Sequence, residues 1–217
     1  MRPVTGSLPC SDNVRQAIDA LYREFAAPPP RFIHGCPCCI ETRRVDVLLA
    51  TPLHEIPAMT LWRYVSGAFL TVGSEQDFRY LLPRILEVSA CEPHEANDPE
   101  IVLGKLVLAN WTSWPEEERR AIERFIDAWF DQALAQDLAE ADGWSVGQEA
   151  ESVLCGAARA GLSIDRFLAT LREPSAAPVL GDLKARHPRA LSAFWKEAPD
   201  GLRALSAMLG AGPGFDV

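Results

Sequence analysis

The sequence has no run of about 18 consecutive apolar residues, so it offers no membrane-spanning helix. Its opening, MRPVTGSLPC, lacks the apolar segment of a secretory signal. Together these lead to the expectation of a cytoplasmic chain, a setting in which disulfides are rare. No G-x-x-x-x-G-K-[ST] or G-x-G-x-x-G loop is present to cradle a phosphate, no H-E-x-x-H pair to hold a catalytic zinc, and no G-x-S-x-G elbow to present a nucleophile. His54-Glu55 lacks the second imidazole. Histidine is scarce: only His34, His54, His94 and His187 could act as base or ligand. No internal repeat of about 34–47 residues marks a solenoid.

What is present is ordinary globular composition: 217 residues, 48% hydrophobic and 24% charged. A chain of this length makes one domain, with or without an appendage. The formal net charge of −9 is concentrated in the middle. Residues 92–173 hold seventeen acidic and seven basic side chains, whereas residues 1–91 are balanced at nine of each. A surface of that sign repels nucleic acid and anionic membranes, which need a positive face. It would attract a basic protein, or simply keep the protein soluble.

The periodicity is helical. Ser11 caps a helix with Val14, Ile18, Leu21 and Phe25 on one face, ended by Pro28-Pro29-Pro30. Residues 28–42 read as a loop, and Val45–Leu49 as a short strand or one buried helical turn. A helix over 57–71 is closed by Gly73. Ser74 and Asp77 then form a capping box for a helix reaching about Ser89, with a kink or break at Pro83. Asp98-Pro99-Glu100 and Ser113-Trp114-Pro115-Glu116 open two more, the second running to about Ala141 with Ile122, Phe125, Ile126, Trp129, Phe130, Ala133 and Leu134 as its apolar stripe. Ser145 with Gln148, and then Ser163, open the next two, ended by Gly161 and Pro174. Residues 174–181 read as a Pro/Ala-rich linker, followed by short helices over 188–197 and 200–209 and a loose tail. This is an all-α fold of about eight helices in one compact domain, with stacked helical hairpins as the open alternative. The main helical domain spans residues 1–173, and residues 174–217 form a C-terminal helical extension packed on it.

One stretch carries a chemical signal. Of the six cysteines, three crowd into His34-Gly-Cys36-Pro-Cys38-Cys39. Zinc takes four thiolate or imidazole ligands in a tetrahedron. Cys36 and Cys39 form a C-x2-C step, and Cys91 and His94 a C-x2-H step, which together complete a Cys3His set for zinc. His34 and Cys38 are the alternative ligands. The plainer reading makes Cys91 a small buried hydrophobe and His94 a surface residue. Thiol redox chemistry is the other reading of a C-x-x-C step, although the βαβ context it usually accompanies is missing.

The stretch Asp77-Phe78-Arg79-Tyr80-Leu81-Leu82-Pro83-Arg84-Ile85-Leu86-Glu87, with Cys36-Pro-Cys-Cys39 before it and Trp111-x-x-Trp114-Pro-Glu after it, resembles a family of uncharacterised bacterial proteins. Those sequences carry a short Cys cluster, a D-F-x-x-x-L-P-R-I-x-E core and a W-x-x-W-x-x-x-E helix start. The resemblance covers residues 32–130, and family members carry Trp where Val72 stands here. It implies a bacterial, cytoplasmic protein and transfers no catalytic residue.

Two functional expectations follow. In the first, the chain is a non-catalytic acidic binding protein, of the immunity-protein or antitoxin kind, that covers a basic partner such as a toxin domain. Asp131, Asp137, Glu140 and Asp142 supply the charge, and Trp144 an exposed anchor. In the second, it is a metal- or thiol-dependent enzyme built on residues 34–39.

Overall fold

The computed structural model describes residues 10–42, 44–140 and 146–210, with the side chains of 37, 39 and 42 left aside. The fold is all-α. No strand occurs among the described residues, and β pairing is confined to isolated bridges at Val72. No helix among them is long and apolar enough to cross a membrane.

The helices are α1 (Asp12–Glu24), α2 (Pro37–Thr42), α3 (Val45–Ala50), α4 (Ala58–Gly67), α5 (Glu75–Cys91), α6 (Pro99–Leu108), α7 (Glu116–Ala139), α8 (Gln148–Arg159), α9 (Asp165–Leu171), α10 (Ala177–Arg186) and α11 (Pro199–Met208). They fall into two compact units: Met1–Asp98 with Leu108–Ala128, and Pro99–Val107 with Trp129–Val217. The units thus divide the chain elsewhere than at residue 173, and residues 174–210 lie in the second unit with α8 and α9.

In the first unit α1 lies on α5, and α4 lies on α3 and α5. Val14, Ile18 and Leu21 of α1 are buried at the expected spacing, and Ser11 caps the helix by accepting from Val14 N. The Ser74–Asp77 capping box is formed in full. Of the kink or break expected at Pro83, the break is absent, and α5 is continuous through it. Leu81, Leu82, Ile85 and Leu86 around it are fully or nearly fully buried, so tertiary packing sustains a helix that local propensity would interrupt. Residues 45–50 settle as helix because Val45 and Leu48, three apart, bury the same side. A disulfide joins Cys10, at the head of α1, to Cys91, the last residue of α5, across 81 positions. It closes a long loop of the unfolded chain, the kind of cross-link worth a few kcal/mol. Tyr22 donates to Glu87 at 2.5 Å, and its ring stacks on His54.

In the second unit α6 and α8 approach closely at Gly156, where an added Cβ would stand 2.9 Å from both Leu103 Cδ1 and Pro99 O. Phe130 packs on Phe167, with Trp129, Leu154, Leu171, Leu183 and Trp195 also in the core. The expected linker 174–181 is instead a 3-10 turn at Pro174–Ala176 running directly into α10. Pro178 lies in the first turn of α10, where no amide donor is needed, so it starts a helix here. Val179 and Leu183, four apart, bury the inner face. The expected helix over 188–197 is reduced to a 3-10 turn at Ala193–Glu197.

Candidate functional site

The cysteine segment is anchored before it turns helical. Ile33 is buried, and Gly35 pairs with Val72 in an antiparallel bridge. Cys36 N donates to Thr71 O at 3.1 Å and Gly73 N donates to His34 O at 2.7 Å. Gly35 permits this approach: a Cβ there would lie 3.0 Å from Thr71 O and 3.1 Å from Ile40 Cγ1. The Cys36 carbonyl then accepts from Ile40 N at 3.0 Å and opens α2, with Pro37 as its first residue. The cluster therefore sits on a helix start, not wholly in the loop expected over 28–42.

This local geometry brings Cys36 Sγ and Cys38 Sγ to 3.2 Å. Cys38 is exposed and Cys36 half-buried, and neither is in a disulfide. His34 is exposed, with its ring edge-on to the exposed Phe32 at 4.6 Å. The side chain of Cys39 lies outside the described residues. The Cys36, Cys39, Cys91, His94 set is corrected at Cys91, whose sulfur is bonded to Cys10 and is not available as a thiolate ligand. His94 is exposed on the turn Pro93–Glu95. No group of three or more potential ligands is assembled among the described residues. What the fold does assemble is a two-sulfur bite from Cys36 and the alternative ligand Cys38.

Among the described residues, the other cysteine outside a disulfide differs in kind. Cys155 is fully buried in α8, and burial, followed by the charges of Glu100 and Glu151, pushes its thiol well above the ordinary range. It behaves as a small core hydrophobe. His187 is engaged with Ser206 Oγ at 2.9 Å.

The acidic middle of the chain is partly internal. Glu118 is buried against Arg79 (2.6 Å), Glu100 is buried with Ser152 donating to it, and Glu151 is buried against Arg186. Asp137 is likewise corrected as a partner-binding residue. It is buried, and its carboxylate accepts from Ala150 N at 2.8 Å and Glu149 N at 3.3 Å. It caps α8 from outside, because the residue at the cap position, Gly147, has no side chain to do so. Asp131, on α7, and Glu140, in the turn just beyond its end, are both exposed. Asp142 and Trp144 lie outside the described residues. Trp111, Trp114 and Trp129 are core residues.

No protein-family model, curated protein or solved structure matches the chain.

Sequence reasoning missed the cap and the disulfide for different reasons. Asp137 follows Phe130 and Ala133 at i+7 and i+4, so it continues the apolar stripe of α7, and that spacing was the available signal. Nothing local connects Cys10 with Cys91.

Burial raises the Asp137 carboxyl above the usual carboxylate range, opposed by hydrogen bonds from the α8 amides and by Arg186. Asp137→Ala is expected to cost about 1–2 kcal/mol by stranding those amides, read from the urea midpoint. Because the folded-state value lies above the unfolded one, protonation favours the fold. That contribution is complete below the unfolded value, near 4, and is lost as pH rises through the raised folded value. The stability of the wild type relative to Asp137→Asn should therefore fall across that window. A flat difference would contradict the assignment.

Proposed function

We propose that the protein is a thiol-dependent zinc-binding protein whose working group is the Cys36/Cys38 pair. The observation that supports this reading is the 3.2 Å approach of two solvent-accessible sulfurs on a backbone pinned by the Thr71 and His34 hydrogen bonds. Two thiolates at Zn–S distances of about 2.3 Å stand about 3.8 Å apart in a tetrahedron. The pair is thus about half an ångström from a zinc bite and over an ångström from a disulfide. The pair supplies two of the four positions, and the remaining positions would be filled by water or a further donor. Thiolate donors suit zinc and other soft ions over hard ones.

Elemental analysis of protein purified without chelator tests this. About one zinc per chain is expected, falling to near zero in the Cys36→Ser/Cys38→Ser double variant, while helicity is retained. Zinc unchanged in that variant would contradict the reading.

A second reading, the non-catalytic binder of a basic protein, is supported by the exposure of Asp131 and Glu140. Charge reversal at both would slow association with a basic toxin domain and flatten its salt dependence. Unchanged rates would count against it.

A further inference from the structure

We infer that Cys38 and Cys36 also form a redox couple, with Cys38 attacking and Cys36 resolving, whose substrate is a small flexible disulfide of the glutathione-disulfide class. The inference rests on the reading that this pair is the working site, and it adds a mode of regulation to it. The roles follow from placement. Cys38 is exposed and two residues into the turn, so a disulfide can reach its sulfur. Cys36 is half-buried and held by its amide to Thr71 O, with its sulfur 3.2 Å from that of Cys38. A mixed disulfide formed on Cys38 would therefore have the second sulfur beside it from the outset. The remaining described cysteines do not compete: Cys155 is fully buried, and Cys10 and Cys91 are already joined.

In the first step the Cys38 thiolate bonds to one sulfur of the disulfide substrate, the substrate S–S bond breaks, and one thiolate leaves and takes up a proton. In the second, Cys36, its proton passed to solvent, bonds to the Cys38 sulfur, the mixed disulfide breaks, and the second thiolate leaves. The protein dithiol loses two electrons and the substrate disulfide becomes two thiols. The sulfurs close from 3.2 Å to about 2.05 Å. Both electron pairs that would bind zinc are then withdrawn, so oxidation expels the ion and bound zinc slows oxidation.

The test uses the full chain with Cys39→Ser as background, so that no third thiol of the cluster intervenes. Chelator-treated protein is incubated with oxidised glutathione, quenched by alkylation and weighed intact. With both cysteines present, the expected product is an internal disulfide with two glutathiones released and no lasting adduct. Cys36→Ser should accumulate a stable glutathionyl adduct on Cys38, and Cys38→Ser should react about tenfold more slowly. Equal rates for the two single variants, or a lasting adduct when both cysteines are present, would overturn the couple. The same reaction on zinc-loaded protein separates the two proposals. An internal disulfide in this background, together with no zinc uptake by the unsubstituted chain, would sustain the couple and overturn the zinc reading. Zinc binding without an internal disulfide would do the reverse. Oxidation at an unchanged rate with zinc bound would overturn the regulation.

Discussion

Glu151→Ala is expected to destabilise the second unit by about 3–5 kcal/mol, the range for removing one partner of a buried ion pair. Glu151 lies on α8 with only 2% of its surface exposed. One carboxylate oxygen accepts from Ser192 N at 2.7 Å and Trp195 Nε1 at 3.0 Å, and the other meets Arg186. Arg186 also reaches Asp182 at 2.7 Å and Gly147 O at 3.2 Å. Alanine would strand a buried indole N–H and a backbone amide, and leave the guanidinium with Asp182 as its only carboxylate among these contacts. Glu151→Gln should fall between, since it keeps an acceptor for Trp195 but turns an amide toward Arg186. The exposed Glu140→Ala should stay within about 0.5 kcal/mol. Urea midpoints of the three variants read this order. A Glu151→Ala cost no larger than that of Glu140→Ala would show that the network does not hold α8, α10 and the Ala193–Glu197 turn together.

Gly73→Ala should be comparably severe in the first unit, about 3–4 kcal/mol. Gly73 has φ +82°, where an L side chain costs about 1–2 kcal/mol. Its Cβ would also lie 2.4 Å from the hydroxyl of Tyr64 and 3.0 Å from two ring carbons, and Tyr64 is fully buried with no room to turn away. That hydroxyl has no hydrogen-bond partner, so Tyr64→Phe removes a stranded polar atom and should be neutral or stabilising by up to about 1 kcal/mol. In the Tyr64→Phe background Gly73→Ala should cost less, because the nearest clashing atom is gone. Strict additivity in this cycle would contradict the packing described. Since Gly73 N holds His34 O, loosening here should also raise hydrogen exchange in the cysteine segment.

Much of the fold was legible because its helices announce themselves locally. Ser11 and Ser74 cap where their side chains predict, and the stripes of α1 and α7 are buried as their spacing requires. Pro83 does not break α5 and Pro178 starts α10 for one reason: proline's effect depends on packing and on position within the helix, which composition does not reveal. The site was legible as residue types and not as partners. Cys36 and Cys38 were visible as members of a cluster, but the third ligand assigned to that cluster, Cys91, is taken by Cys10, a pairing that only the packing of α1 on α5 creates. The acidic surface was overestimated because charge counting cannot tell a solvated carboxylate from a helix cap such as Asp137 or a buried pair such as Glu151 with Arg186.

The central claim is that Cys36 and Cys38 together hold zinc, and X-ray absorption at the zinc edge of the purified full chain tests it most directly. A shell of at least two sulfurs at about 2.3 Å is expected, reduced in both Cys36→Ser and Cys38→Ser. A shell of nitrogen and oxygen alone, or sulfur neighbours that persist when both residues are replaced, would contradict it.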